Sequence, residues 1–116
     1  MFMRIPVLSG PILFMAAVAG PAMAGGLDGL HKKAVEGGRL CMSDHYHFSS
    51  SGTWPDRSMA KKAAARSWER FTEAEYGRAW AQLSRASSVD FACATAPSRR
   101  GPTWSCELKA RPCRVP

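Results

Sequence analysis

The chain reads as a single small α+β domain held together by disulfides, with one long helix packed on a short antiparallel sheet in the order β-α-β-β. Three observations predict this: helical periodicity over residues 58–88, alternating apolar segments on either side of it, and 4 Cys in only 116 residues. A chain this short cannot build two cores, which excludes an enzyme with separate cofactor and substrate domains. Its 46% hydrophobic and 9% aromatic residues exclude wholesale disorder, despite 16 Lys+Arg against 9 Asp+Glu and a formal charge of +7.

The first 24 residues are set apart. Arg4 precedes an apolar run from Ile5 to Gly20, and Ala22-Met23-Ala24 has the small-x-small pattern of a signal-peptide cleavage site. Pro6, Pro11 and Pro21 interrupt the run, which argues against a membrane anchor. Residues 1–24 are therefore expected to be removed after Ala24, leaving a protein exported to the periplasm or beyond, with no transmembrane span. They hold one Arg and no acid, so the mature chain would have 92 residues and a charge of +6.

Residues 25–38 form a flexible lead-in or at most a short helix, because Gly-Gly pairs stand at both ends. The domain proper spans 39–116. Its first strand is expected over Arg39–Phe48, where Leu40, Met42, Tyr46 and Phe48 share one parity and Cys41, Ser43, His45 and His47 the other. From Ser58 the helical period gathers Ala64, Ala65, Trp68, Phe71, Tyr76, Ala79, Leu83 and Ala86 on one face, with Asp56 or Ser58 as the cap. Gly77 is the expected bend in a helix running to about Ser88. Trp68, Phe71, Tyr76 and Leu83 are expected to meet Phe91, Trp104 and Leu108 of the sheet.

The last two strands form a hairpin around Pro97–Pro102. If it is centred between Arg99 and Arg100, residues whose numbers sum to 199 face each other. This sets Thr95 against Trp104, Phe91 against Leu108, Val89 against Ala110 and Cys93 against Cys106. Four Cys allow three connectivities, and this register favours Cys93–Cys106, leaving Cys41–Cys113 to tie the first strand to the C-terminus. Zinc is disfavoured as a use for these Cys, since no C-x2-C or C-x4-C pair occurs.

His45-Tyr46-His47, Ser67-Trp68-Glu69-Arg70-Phe71, Glu75-Tyr76-Gly77, Trp80, Cys93, Trp104-Ser105-Cys106 and Ala110-Arg111-Pro112-Cys113-Arg114 together resemble small exported proteins of alpha-proteobacteria. The resemblance covers most of the mature chain. It implies export and disulfides, and it brings no catalytic residue.

Chemistry is best represented by His45 and His47. Side chains two apart on a strand share a face, so their imidazoles can share a Zn or Cu ion, with a third ligand drawn from His31 or Asp56. The bland counterpart is a pair of solvent-facing or core-capping histidines. Glu75 falls near the centre of the helix's apolar face. It is either an acid or metal ligand near the histidines, giving a hydrolase centred on His45, His47 and Glu75, or a surface residue paired with Arg78. His47-Phe48-Ser49 is a single H-x-S without a second copy, and no Gly-x-Ser-x-Gly, P-loop or His-Glu-x-x-His occurs. No organic cofactor is expected, and the sequence favours a binding role over catalysis.

Charge is the remaining signal. Lys61, Lys62, Arg66 and Arg70 occupy the first half of the helix, while Arg99, Arg100, Lys109, Arg111 and Arg114 cluster at the hairpin tip and C-terminus. Export makes nucleic acid an improbable target. The leading expectation is a basic, non-catalytic module that binds an anionic envelope component or another envelope protein in a salt-dependent way. The alternative use of the same charge is simple solubility.

Overall fold

The computed structural model describes Met3 and residues 26–116; the export segment expected over residues 1–24 thus lies outside the described residues, Met3 apart. The expected class is found: one α-helix packed against small antiparallel sheets, with two disulfides. After a 3-10 turn at Gly26–Leu30 come β1 (Lys33–Glu36), β2 (Arg39–Met42), β3 (His47–Ser50), α1 (Arg57–Tyr76), β4 (Ser87–Ala96), β5 (Thr103–Arg111) and β6 (Cys113–Arg114). The strands form two three-stranded sheets, ordered β1-β2-β6 and β3-β5-β4. Among the described residues no helix is long and apolar enough to cross a membrane.

Several expectations need correction, each for a local reason. Part of the lead-in is a strand. Gly37 and Gly38 have φ of +55° and +76°, the left-handed pair that joins two strands through a two-residue turn, so β1 pairs with β2 from Glu36↔Arg39 outward. The helix ends at Tyr76. Gly77 has φ +93° and its N–H bonds back to Glu73 O at 2.9 Å, and a backbone in that region stops the helix rather than bending it. Two 3-10 turns, Arg78–Trp80 and Leu83–Arg85, carry the chain onward, anchored where Glu69 accepts from the Leu83 N–H and Arg39 donates to the Arg85 and Ala86 carbonyls.

The first strand is also interrupted. Cys41 pairs with Cys113 and His47 with Ala110, so five residues (42–46) on one segment face two (111–112) on the other. Residues 43–46 cross between sheets, and this excess pushes Asp44 and His45 out of the ladder.

The β4–β5 hairpin follows the expected register. Thr95↔Trp104, Cys93↔Cys106 and Phe91↔Leu108 are all paired, and Ser98 and Gly101 exchange backbone hydrogen bonds around Arg99-Arg100. A bulge between Ser87 and Asp90 breaks the last expected pair, Val89 with Ala110, and leaves Val89 exposed. The disulfides are Cys93–Cys106 and Cys41–Cys113. In the chain-entropy model their loops of 13 and 72 residues correspond to about 3 and about 4 kcal/mol.

The helix buries Ala60, Ala64, Trp68, Thr72 and Tyr76, one residue per turn. Ala60, Ala64 and Trp68 pack on Cys106, Leu108 and Ala110 of β5, with Trp54, Leu83, Phe91 and Trp104 at the margins. A second core of Met42, Tyr76 and Trp80, with Leu40 against it, joins β2 to the end of α1 and the turn that follows. Phe71 does not join the core as expected; it is 44% exposed and lies against His47 instead.

Candidate metal centre

The last turn of α1 faces the β2–β3 crossing, and the three histidines of the chain gather there. His47 opens β3 and is only 1% exposed. Its ring is stacked on Tyr76 at 4.7 Å between centroids and lies 4.6 Å from Phe71. His45, carried on the displaced 43–46 segment, has its ring 5.1 Å from that of His47, and His31, just before β1, has its ring 4.7 Å from that of His45. The i, i+2 strand geometry is therefore not what unites His45 and His47, since His45 is in no strand; the crossing segment does so.

The polar atoms around His47 are unequal. Nδ1 lies 2.8 Å from Thr72 Oγ1, and Thr72 is itself fully buried. Nε2 lies 3.1 Å from Glu75 Oε2, within ion-pair range but without hydrogen-bond alignment, so Nε2 is a buried nitrogen with no hydrogen-bond partner. Such an atom is costly unless something satisfies it. Burial, reinforced by His45 and then His31, lowers the His47 pKa from 6.5 to about 4. The Glu75 carboxylate pulls the other way without offsetting this, so the ring is neutral near pH 7. Tyr76, whose hydroxyl is likewise buried without a partner, is pushed up to about 12 by burial, then by Glu75 and Asp44.

One ligand atom from each of His45, His47 and Glu75 lies within 4.8 Å of the others. Glu75 is 32% exposed at its side chain and faces His47 rather than Arg78. Asp56, offered by the sequence as a third ligand, does not reach this place: it caps α1 by accepting from the Met59 N–H, about 28 Å of helix away from Glu75. His31 does reach it, with Nδ1 3.6 Å from Asp44 Oδ1. A second grouping, Glu36 with Cys41 and Cys113, offers no thiolate because both sulfurs are in the disulfide.

Thr72 escaped sequence reasoning, although Ala64 and Trp68 stand eight and four residues before it on the same row. Its polarity hid it from a search for apolar periodicity. Convergence of His45, His47 and Glu75 meets the geometric requirement of a hydrolytic centre, yet the larger concavities of the surface take their linings from the Trp54 loop, the hairpin tip and the Phe48 edge.

The basic residues are divided by the fold. Lys61 lies over Phe91 at 4.8 Å, Lys109 over Tyr46 at 4.3 Å and Arg114 over Trp80 at 5.8 Å, while Arg111 pairs with Glu36 and bonds to the Tyr46 hydroxyl. Lys62, Arg66, Arg70, Arg99 and Arg100 are exposed, and among the described residues none of the five is in an ion pair. Comparison with known proteins found no matching family model, no matching curated protein and no matching solved structure.

Proposed function

We propose that this protein is an exported, disulfide-stapled binder of a divalent transition metal, zinc or copper, held by His45, His47 and Glu75. The observation that carries this reading is the unpartnered Nε2 of His47, buried beside an imidazole and a carboxylate. Two imidazoles and one carboxylate are borderline donors suited to these ions. Thr72 Oγ1 accepting from the Nδ1–H sets the tautomer that leaves the Nε2 lone pair for the metal, the usual outer support of a ligating histidine. The low pKa of His47 keeps that lone pair available well below neutral pH.

Donors around a tetrahedral zinc lie about 3.3 Å apart, so atoms within 4.8 Å of one another have to draw together by at most about 1.5 Å. His45 and Glu75 are only partly buried and have room to do so. His31, its ring tilted against that of His45 at 4.7 Å between centroids, is the remaining imidazole beside the centre. Export is supported by the leader-like residues 1–24 and by two disulfides, which persist in oxidising compartments.

The test is calorimetric titration of the oxidised, metal-stripped protein with Zn and with Cu. One ion per chain is expected at micromolar affinity or better. Glu75→Gln, which keeps size and removes the charge, should weaken binding about tenfold or more. No heat at about micromolar metal, or an unchanged affinity in both Glu75→Gln and His45→Ala, overturns the reading.

A further inference from the structure

Three neighbouring concavities share one residue, Trp54. The largest, of about 460 Å³, lies between the Trp54 loop and the β4–β5 hairpin tip, and includes Pro55, Arg99, Arg100 and Pro102 in its wall. The second, about 280 Å³, runs from Trp54 along α1 past Arg66 to Arg70, and the third, about 80 Å³, adds Lys62. Together they make a groove with Trp54 at its middle, three cations on one bank and two on the other. No carboxylate lines any of the three. Asp56, beside the loop, is occupied at the Met59 amide.

We infer that this groove is a binding site for a linear acidic polysaccharide, with Trp54 as the platform for a sugar ring and Lys62, Arg66, Arg70, Arg99 and Arg100 as the partners of its anionic groups. Lys62, Arg66 and Arg70 stand at i, i+4 and i+8 on α1, a row with about 6 Å between members, which suits repeated charges along a chain better than a single anion. Among the described residues all five are exposed with neither a ring nor an acid as partner, whereas Lys61, Lys109, Arg111 and Arg114 are engaged internally.

Trp54 is held in place by its Nε1–H donating to Ser51 O at 2.6 Å and by backbone bonds to Trp104 in both directions. Its indole is half-buried at a fixed position, so a ligand meets a preformed apolar surface flanked by Pro55 and Pro102. A single ring also suits a sugar chain better than a nucleic-acid strand, for which a series of stacking aromatics is the rule. The two disulfides are compatible with oxidising surroundings outside the cytoplasm. None of this depends on the metal ligands, which lie at the other end of α1.

Affinity electrophoresis of the oxidised protein through polygalacturonate at low salt tests the inference, with neutral dextran and an oligothymidylate as comparison ligands. Retardation by polygalacturonate and not by dextran is expected, fading as salt rises. Arg66→Ala with Arg70→Ala should weaken it about tenfold, while the charge-matched Lys61→Ala with Lys109→Ala stays within about twofold. Trp54→Leu, checked for an unchanged circular dichroism spectrum, should also weaken it. Equal loss in the two double variants would reduce the effect to net charge and overturn the site. Absence of retardation in the parent protein, or tighter binding of the oligothymidylate, overturns the ligand class.

Discussion

The first turns of α1 and its last turn bury the same i, i+4 row for opposite ends. At Ala60 and Ala64 the row is small and apolar, so the helix sits close on β5, with Ser49 Oγ donating to the Ala64 carbonyl at 2.7 Å. At Thr72 and Tyr76 the row continues with the same burial but brings hydroxyls against His47, beside Glu75. Trp68 is the hinge between the two regimes: its ring belongs to the apolar core, while its Nε1–H donates to the His47 carbonyl. One helix thus provides a stability-bearing half and a polar half whose groups are only partly satisfied by the protein itself. A polar group buried at that depth without a full set of partners calls for a physical explanation, which the proposed ion would supply at His47.

The largest test of this division is Trp68→Ala. It empties the fully buried volume shared by both regimes and should cost about 4 kcal/mol, a large share of the stability of a small domain. Urea unfolding followed by circular dichroism reads it, and a cost near that of an exposed residue such as Phe71 would dissolve the distinction.

Acid should attack only the polar half. The folded pKa of His47, about 4, lies below its unfolded value of 6.5, so the unfolded chain takes up the proton first as pH falls. The stability it contributes is complete above pH 6.5 and is lost progressively towards pH 4. Urea midpoints for the parent and His47→Gln should converge over that window, and parallel curves would place the acid sensitivity elsewhere.

The smallest effect is expected from Thr72→Val, which keeps shape and strips the hydroxyl. A buried Nδ1 left without its partner costs about 1–3 kcal/mol, and the loss of orientation should lower metal affinity about 10–100-fold. A stability loss with unchanged metal affinity would make Thr72 a core residue and no more.

Much of the architecture was legible because it rests on local pattern. The hairpin register followed from alternating residues around Arg99-Arg100, and that register brought Cys93 to Cys106. The helix start was legible to within a residue from the two capping candidates, Asp56 and Ser58, of which Asp56 is the cap. What misled was continuity of pattern where the backbone changes hand. Apolar periodicity runs through Gly77, and alternation runs through Ser43–Tyr46, yet a positive φ ends the helix at one and a sheet crossing breaks the strand at the other. The Gly37-Gly38 pair looks like slack in the sequence, although it is the turn that makes β1 and β2 a hairpin.

The candidate centre was half visible. His45 and His47 stood out as a pair, and Glu75 as an acid on the wrong face of a helix; nothing in their spacing said that they meet. The sequence by itself determined the class, the disulfide register and the inventory of donors, because strand alternation, helix period and turn chemistry act over a few residues. Only the tertiary structure decided that His31, His45, His47, Glu75 and Thr72 share one place, and that five cations surround Trp54 while four others are taken up. Those encounters join segments far apart in the chain, and they depend on how the helix lies across two sheets, a property that no local pattern encodes.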